Sequence, residues 1–188
     1  MTARLHAGRG ASARRGRWLA WTALAVGAGA LAVWWLADHR CGIRWAVNVV
    51  RDRFADVVHL PPRELAAWLA DGTRPAPLLL DARSEEEIAV SHLAGARRLD
   101  PLADADDLRA AAARGRPIVA YCSAGYRGAR LARRLREAGA VEVSNLEGGI
   151  FAWANEGFEV VRNGELVREV HPYHGIFSRL LRRDRRPD

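Results

Sequence analysis

Cys122 is the residue best placed to do chemistry in this chain of 188 residues. It closes the run Pro117-Ile118-Val119-Ala120-Tyr121-Cys122. It opens Ser123-Ala124-Gly125-Tyr126-Arg127-Gly128, and an Arg- and Ala-rich stretch then runs to Gly139. The first run is β-branched and aromatic and reads as a buried strand. The last stretch carries Leu131, Ala132, Leu135 and Ala138 at helical spacing, with Gly139 as its stop. A thiol is thereby set at the end of a strand against a helix N-terminus. Unpaired N–H groups and the positive end of the helix dipole favour an anion there. Such surroundings favour the thiolate, the nucleophilic form of cysteine.

The elements that must position this thiol read as an alternation. Residues from Ile43 to Val58 carry Ile43, Val47, Val50, Phe54 and Val57 at helical spacing. They predict an amphipathic helix, lying on a membrane surface or packed on the domain that follows. Pro61-Pro62 punctuates the chain, and Arg63–Leu69 reads as a short helix. Leu78-Leu79-Leu80-Asp81 is an apolar strand ending in an acid. Ser84 caps the next helix, with Glu87 at the reach of a capping box. Arg97–Leu99 reads as a short strand or edge, Asp104–Ala113 as a helix and Val141–Leu146 as a strand. Glu147-Gly148-Gly149 is a turn, and Ile150–Asn155 a short helix. Strands alternating with helices predict an α/β fold with a mostly parallel sheet covered on both faces. Asn163-Gly164 predicts a terminal hairpin, and Arg179–Asp188 a solvated basic tail within reach of anionic lipid if the domain lies close to a bilayer.

Charge and composition narrow the classes. The net charge is +7, carried by 29 arginines with no lysine. That balance fits nucleic acid or an anionic surface, but no nucleic-acid motif accompanies it, so no nucleic-acid partner is expected. Cys41 and Cys122 are too few for a disulfide framework and lack metal-ligand spacing, so no metal is expected. Cys41 has no such loop and reads as inert; one Cys41–Cys122 disulfide is the remaining alternative.

The N-terminal region has its own pattern. Residues 1–17 hold Arg4, Arg9, Arg14, Arg15 and Arg17 and predict a disordered basic arm. Residues 18–37 hold no charge and, at 1.5 Å per residue, reach about 30 Å, the thickness of a bilayer core. Trp18, Trp21, Trp34 and Trp35 sit near the ends, as an aromatic belt would. The run predicts a single-pass transmembrane helix; a cleaved signal peptide is the competing reading. The arginine bias leans toward a cytoplasmic N-terminus, whereas a reactive thiol argues for a cytosolic domain.

Four blocks then fall into register: Leu80-Asp81-Ala82-Arg83, His92-Leu93-Ala94-Gly95-Ala96, Tyr121-Cys122 through Arg127, and Leu146-Glu147-Gly148-Gly149-Ile150 with Trp153 and Gly157. Together they resemble a single rhodanese (sulfurtransferase) domain over about Val57 to Arg162. The resemblance implies a three-layer α/β fold with a five-stranded parallel sheet. The expected organisation is a basic arm at 1–17, a transmembrane helix at 18–37 and a juxtamembrane amphipathic helix at 38–56. The rhodanese-like domain at 57–162 and a basic C-terminal extension at 163–188 complete it.

The resemblance also implies roles. Cys122 would take the outer sulfur of thiosulfate or a persulfide donor, become a persulfide, and pass that sulfur to a thiol or cyanide. No cofactor beyond this covalent cysteine persulfide is implied. Backbone N–H groups of Ser123, Ala124, Gly125, Tyr126 and Arg127 would cradle the anion. Gly125 and Gly128 would allow the tight path. Arg127 would contact either the anionic substrate or the loop itself. Asp81 and Arg83 are candidates for site support, or else an ion pair that caps the loop. His92 reads as a turn residue and Trp153 as core. The loop from Cys122 to Arg127 counts six residues, one fewer than in the related tyrosine phosphatases. The smaller cradle suits a sulfur atom better than a phosphate. The partners implied are a small sulfur-containing anion, a thiol acceptor or sulfur-accepting protein, and the membrane through residues 18–37. The alternative function is a persulfide carrier or binding module serving a partner protein without free turnover.

Overall fold

In the computed structural model, which describes Trp21 and residues 39–187, five short segments form one parallel sheet. They are β1 (Val58–Leu60), β2 (Leu78–Asp81), β3 (Arg97–Arg98), β4 (Ile118–Tyr121) and β5 (Val143–Leu146), in the order β1-β5-β4-β2-β3. The helices are α1 (His39–Arg53), α2 (Pro62–Ala70), α3 (Glu85–Val90), α4 (Ala105–Ala112), α5 (Tyr126–Glu137) and α6 (Gly149–Asn155). A hairpin of β6 (Val160–Arg162) and β7 (Glu165–Val167) follows, antiparallel across Asn163-Gly164 as its residues predict. Two 3-10 turns, Gly175–Leu180 and Arg183–Arg185, end the described chain.

Side chains alternate along the strands and so feed two cores. Leu78, Leu80, Ile118 and Ala120 face a core completed by Leu108 of α4 and Leu131 and Leu135 of α5. Leu79, Val119 and Tyr121 face the opposite one, with Leu65 and Trp68 of α2 and Ile150, Phe151 and Trp153 of α6. The central strands β2, β4 and β5 are buried throughout, which explains the apolar runs Leu78-Leu79-Leu80 and Ile118-Val119-Ala120; β5 buries Ser144 and Asn145 as well. The expected five-stranded parallel sheet between helices is what the chain forms.

Of the two readings of the helix at 38–56, packing on the domain is the one seen: His39–Asp188 is one compact unit. The helix's buried side, Ala46 and Val50, runs on into Phe54 and Val57, which enter the core. Two other expectations change. The basic tail is not simply solvated: Leu181 has no exposed surface, Leu180 is 8% exposed and Arg185 is 9% exposed. Helix α5 starts at Tyr126 rather than after Gly128, because Gly125 takes a left-handed φ of 104° as its N-cap. The arm at 1–17 and, apart from Trp21, the apolar run at 18–37 lie outside the described residues. Among the described residues no helix is long and apolar enough to cross a membrane.

Candidate active site

Parallel strands end on the same side of a sheet, so the chain leaving β4 meets the chain leaving β2 there. Asp81 pairs in register with Tyr121, and Cys122 follows β4 directly. Cys122 is 2% exposed, and it and Cys41 are both free thiols. The Gly125 N–H donates to Cys122 Sγ at 3.2 Å. The amides of Tyr126, Arg127 and Gly128 form the first turn of α5, where N–H groups lack partners within the helix. On the other side the loop carbonyls are tied back. Ile150 N–H donates to the Cys122 carbonyl at 2.8 Å and Phe151 N–H to that of Ser123 at 3.0 Å. With its carbonyls occupied by the start of α6, the loop is free to present its amides around the sulfur.

Two glycines allow this closeness. A Cβ on Gly149, at φ +59, would lie 2.2 Å from the Cys122 carbonyl oxygen. One on Gly128 would lie 2.8 Å from the Tyr121 Cα and 2.5 Å from Asn145 Oδ1. Tyr126 is half exposed and meets Phe54 edge-on with centroids 5.0 Å apart, which joins the end of α1 to the start of α5. Ala124 packs against the α6-side core.

Arg127 contacts the loop itself, one of the two roles expected of it. Its Nη1 donates to Glu87 Oε2 and its Nη2 to Glu87 Oε1, both at 2.8 Å, and Nη2 also donates to Ser123 Oγ at 2.9 Å. The Ser123 hydroxyl in turn donates to Glu87 Oε1. Glu87 also accepts from the Ser84 N–H, closing the expected capping box. Burial pushes the Glu87 carboxyl up, but its bonds from Arg127, Ser123 and Ser84 outweigh that and hold it at about 2. Burial likewise pulls Arg127 down, and Glu87 and the neighbouring Cys122 charge more than reverse it, so the guanidinium stays charged. The capping box singles out Glu87 from Glu85-Glu86-Glu87, and it is the one of the three that is buried. Its reach to a loop 40 residues away has no signal in the sequence.

Asp81 and Arg83 form a buried ion pair, the alternative expected for them beside site support. Arg83 donates through Nε and Nη2 to both carboxylate oxygens of Asp81 and through Nη2 to the Ser91 carbonyl at 2.7 Å. The side chains are 0% and 1% exposed. The pair ties the end of β2 to the end of α3, the helix that carries Glu87. Tyr121 lies on the same buried side and its hydroxyl accepts from the Leu93 N–H at 3.1 Å. Burial and then the Asp81 charge push that phenol well above its usual range, so it stays neutral. His92 bridges to Val161 and its Nδ1 pairs with the Leu93 carbonyl, as expected of a turn residue. Trp153 is core, its indole N–H donating to the Glu159 carbonyl.

Comparison with known proteins gives this arrangement a family. The rhodanese-like domain family matches residues 61–156. The chain is 34% identical over 98 residues to "Probable adenylyltransferase/sulfurtransferase MoeZ" of Mycobacterium tuberculosis, covering 52% of this chain and 24% of that protein. It therefore spans about a quarter of that relative's length. It is also 34% identical over 84 residues to a "Sulfurtransferase" of Allochromatium vinosum, covering 45% of this chain and 78% of the relative. Among solved structures, a rhodanese-like domain from Anabaena superposes with a TM-score of 0.50 at 26% identity, over 55% of this chain and 78% of that one. A thiosulfate sulfurtransferase from Pseudomonas aeruginosa shares the fold with a TM-score of 0.52 at 23% identity, over 62% of this chain and 22% of that one. The chain belongs to the rhodanese-like domain family.

Proposed function

We propose that the chain is a sulfurtransferase working through a persulfide on Cys122. The observation that carries this reading is the Gly125 N–H on Cys122 Sγ at 3.2 Å, at the start of α5. The cradle supplies hydrogen-bond donors where an anionic sulfur would sit. The sulfurtransferase relative from Allochromatium vinosum supports the same general role.

In the first step the Cys122 thiolate attacks the outer sulfur of thiosulfate. A Cys122 S–S bond forms, the S–S bond of the donor breaks, and sulfite leaves with the bonding pair. The terminal sulfur is then an anion, and the amides at the start of α5 face it. In the second step cyanide or a thiolate takes that sulfur, and the electron pair returns to Cys122. A persulfide donor enters the first step in the same way and leaves as a thiolate. The net charge is unchanged in each step, so the site needs fixed donors rather than a proton relay. Glu87 pairs with Arg127 and holds it against Ser123, which keeps the loop in shape.

The test is thiocyanate formation from thiosulfate and cyanide by the full chain, compared with Cys122→Ser. Loss of activity in the variant supports the reading, and equal rates contradict it. A persulfide that forms but does not turn over with small acceptors would favour the carrier role. We extend the proposal to the membrane: the uncharged run at residues 18–37 tethers the domain as a single-pass protein with its N-terminus in the cytoplasm. Reporter fusions at both ends test this; a reporter pattern with both ends on one side contradicts it.

A further inference from the structure

The family match ends at residue 156, yet Arg127 of the loop is covered by a residue beyond it. The chain after β7 returns over the domain and is fastened at several points. Val170 and Leu181 have no exposed surface. Asn155 Nδ2 donates to the Leu180 carbonyl at 2.7 Å, and its Oδ1 accepts from the Arg182 N–H at 2.9 Å. Val170 N–H donates to the Arg185 carbonyl at 2.8 Å. Between these pins Tyr173 stands at φ 67°, a left-handed conformation that a bulky side chain rarely adopts. Its own N–H is held by His171 Nδ1 at 3.1 Å. Its ring packs against His174 and Phe177, with centroids 4.5 Å and 5.5 Å away. The same ring lies 4.9 Å from the Arg127 guanidinium carbon.

Strain of this kind persists only where the surroundings over-determine the backbone. Here the pins hold an aromatic ring against a guanidinium already committed to Glu87 and Ser123. Arg127 is thereby closed edge-on by a carboxylate and face-on by a ring. The ring against Arg127 comes from outside the family's matched segment.

We propose that Tyr173 roofs the Cys122 cradle and sets the size of the reagent that reaches the sulfur. A compact sulfur anion or a small thiol passes, and a bulky reagent does not. The identity of that reagent rests on the sulfurtransferase reading; the roof does not. Tyr173 is a positioning and specificity-determining residue, acting through Arg127 and through the room it leaves.

The test uses the full chain with Cys41→Ala, so that Cys122 is the sole thiol. Alkylation of Cys122 is timed with iodoacetamide and with pyrenyl maleimide, for Tyr173, Tyr173→Phe, Tyr173→Ala and Tyr173→Leu. The bulky-to-small rate ratio is expected to rise about fivefold or more in Tyr173→Ala, and to stay within about twofold of the parent in Tyr173→Phe, which keeps the ring. Tyr173→Leu keeps bulk without the ring face and reports in place of an unstable Tyr173→Ala. An unchanged ratio in both, or a Cys122 unreactive to both reagents in every variant, overturns the roof. With sulfur acceptors, the glutathione-to-cyanide rate ratio should rise in parallel. A parent protein that discriminates alkylating reagents but forms no persulfide would sink the sulfurtransferase reading and leave the roof standing.

Discussion

Glu87 and Arg127 meet through two parallel hydrogen bonds of 2.8 Å each, joining the helix after β2 to the helix after β4. The pair forms because β2 and β4 lie side by side in parallel, and their exits deliver Glu87 and the Cys122 loop to the same edge. Its energetic weight comes from burial: the Glu87 side chain is 4% exposed and that of Arg127 is 26% exposed.

This pair sets an acid limit. The Glu87 carboxyl is held at about 2, below its ordinary 4.5. The unfolded chain therefore takes up this proton more readily than the folded one. The stabilisation is complete above about pH 4.5 and is lost as pH falls through about 2. Glu87→Gln should lack this acid-labile share, so that denaturant-unfolding curves of parent and variant converge between pH 4.5 and 2. Curves that stay parallel over that window would contradict the assignment. Glu87→Ala should cost about 2 kcal/mol at neutral pH, below the ~3–5 kcal/mol of a fully buried pair because Arg127 is partly solvated.

Gly149 is the point at which the loop leans on α6. Adding a Cβ 2.2 Å from the Cys122 carbonyl oxygen, at φ +59, must displace either the loop or the helix. Gly149→Ala is expected to destabilise by about 2 kcal/mol or more and to slow Cys122 alkylation or persulfide formation beyond what its stability loss explains. A variant with parent stability in urea would show that the contact is relaxed in solution.

Arg83 supports the fold, and its substitution separates the two roles expected for it. Removing a side chain that is 0% exposed leaves Asp81 buried and uncompensated. Arg83→Ala should then lose about 3–5 kcal/mol, while the rate of Cys122 persulfide formation per folded molecule stays near that of the parent. A large rate loss with stability intact would return Arg83 to the site.

The legibility of these features in the sequence follows from what each depends on. β2 and β4 are near-continuous apolar runs buried on both faces, so their composition alone marks them. The capping box of Ser84 and Glu87 is local and reads directly. The second role of Glu87 depends on the register that puts Asp81 beside Tyr121, which is a tertiary fact. Gly125 reads as a loop residue although it caps α5, because its left-handed φ is set by the turn around Cys122. The docking of Leu180 and Leu181 is hidden by Arg179, Arg182, Arg183 and Arg186, whose charge gives the segment a solvated look. Tyr173 has no periodicity to mark it at all.

The most direct measurement for the central claim is the intact mass of the protein after exposure to thiosulfate. The parent is expected to gain the mass of one sulfur atom, to carry it on Cys122 by peptide mapping, and to lose it on addition of cyanide as thiocyanate appears. Cys122→Ser should gain nothing. A parent protein that takes up no sulfur from thiosulfate or from a persulfide donor, or a Cys122→Ser variant that takes it up equally, would contradict a Cys122 persulfide as the working intermediate.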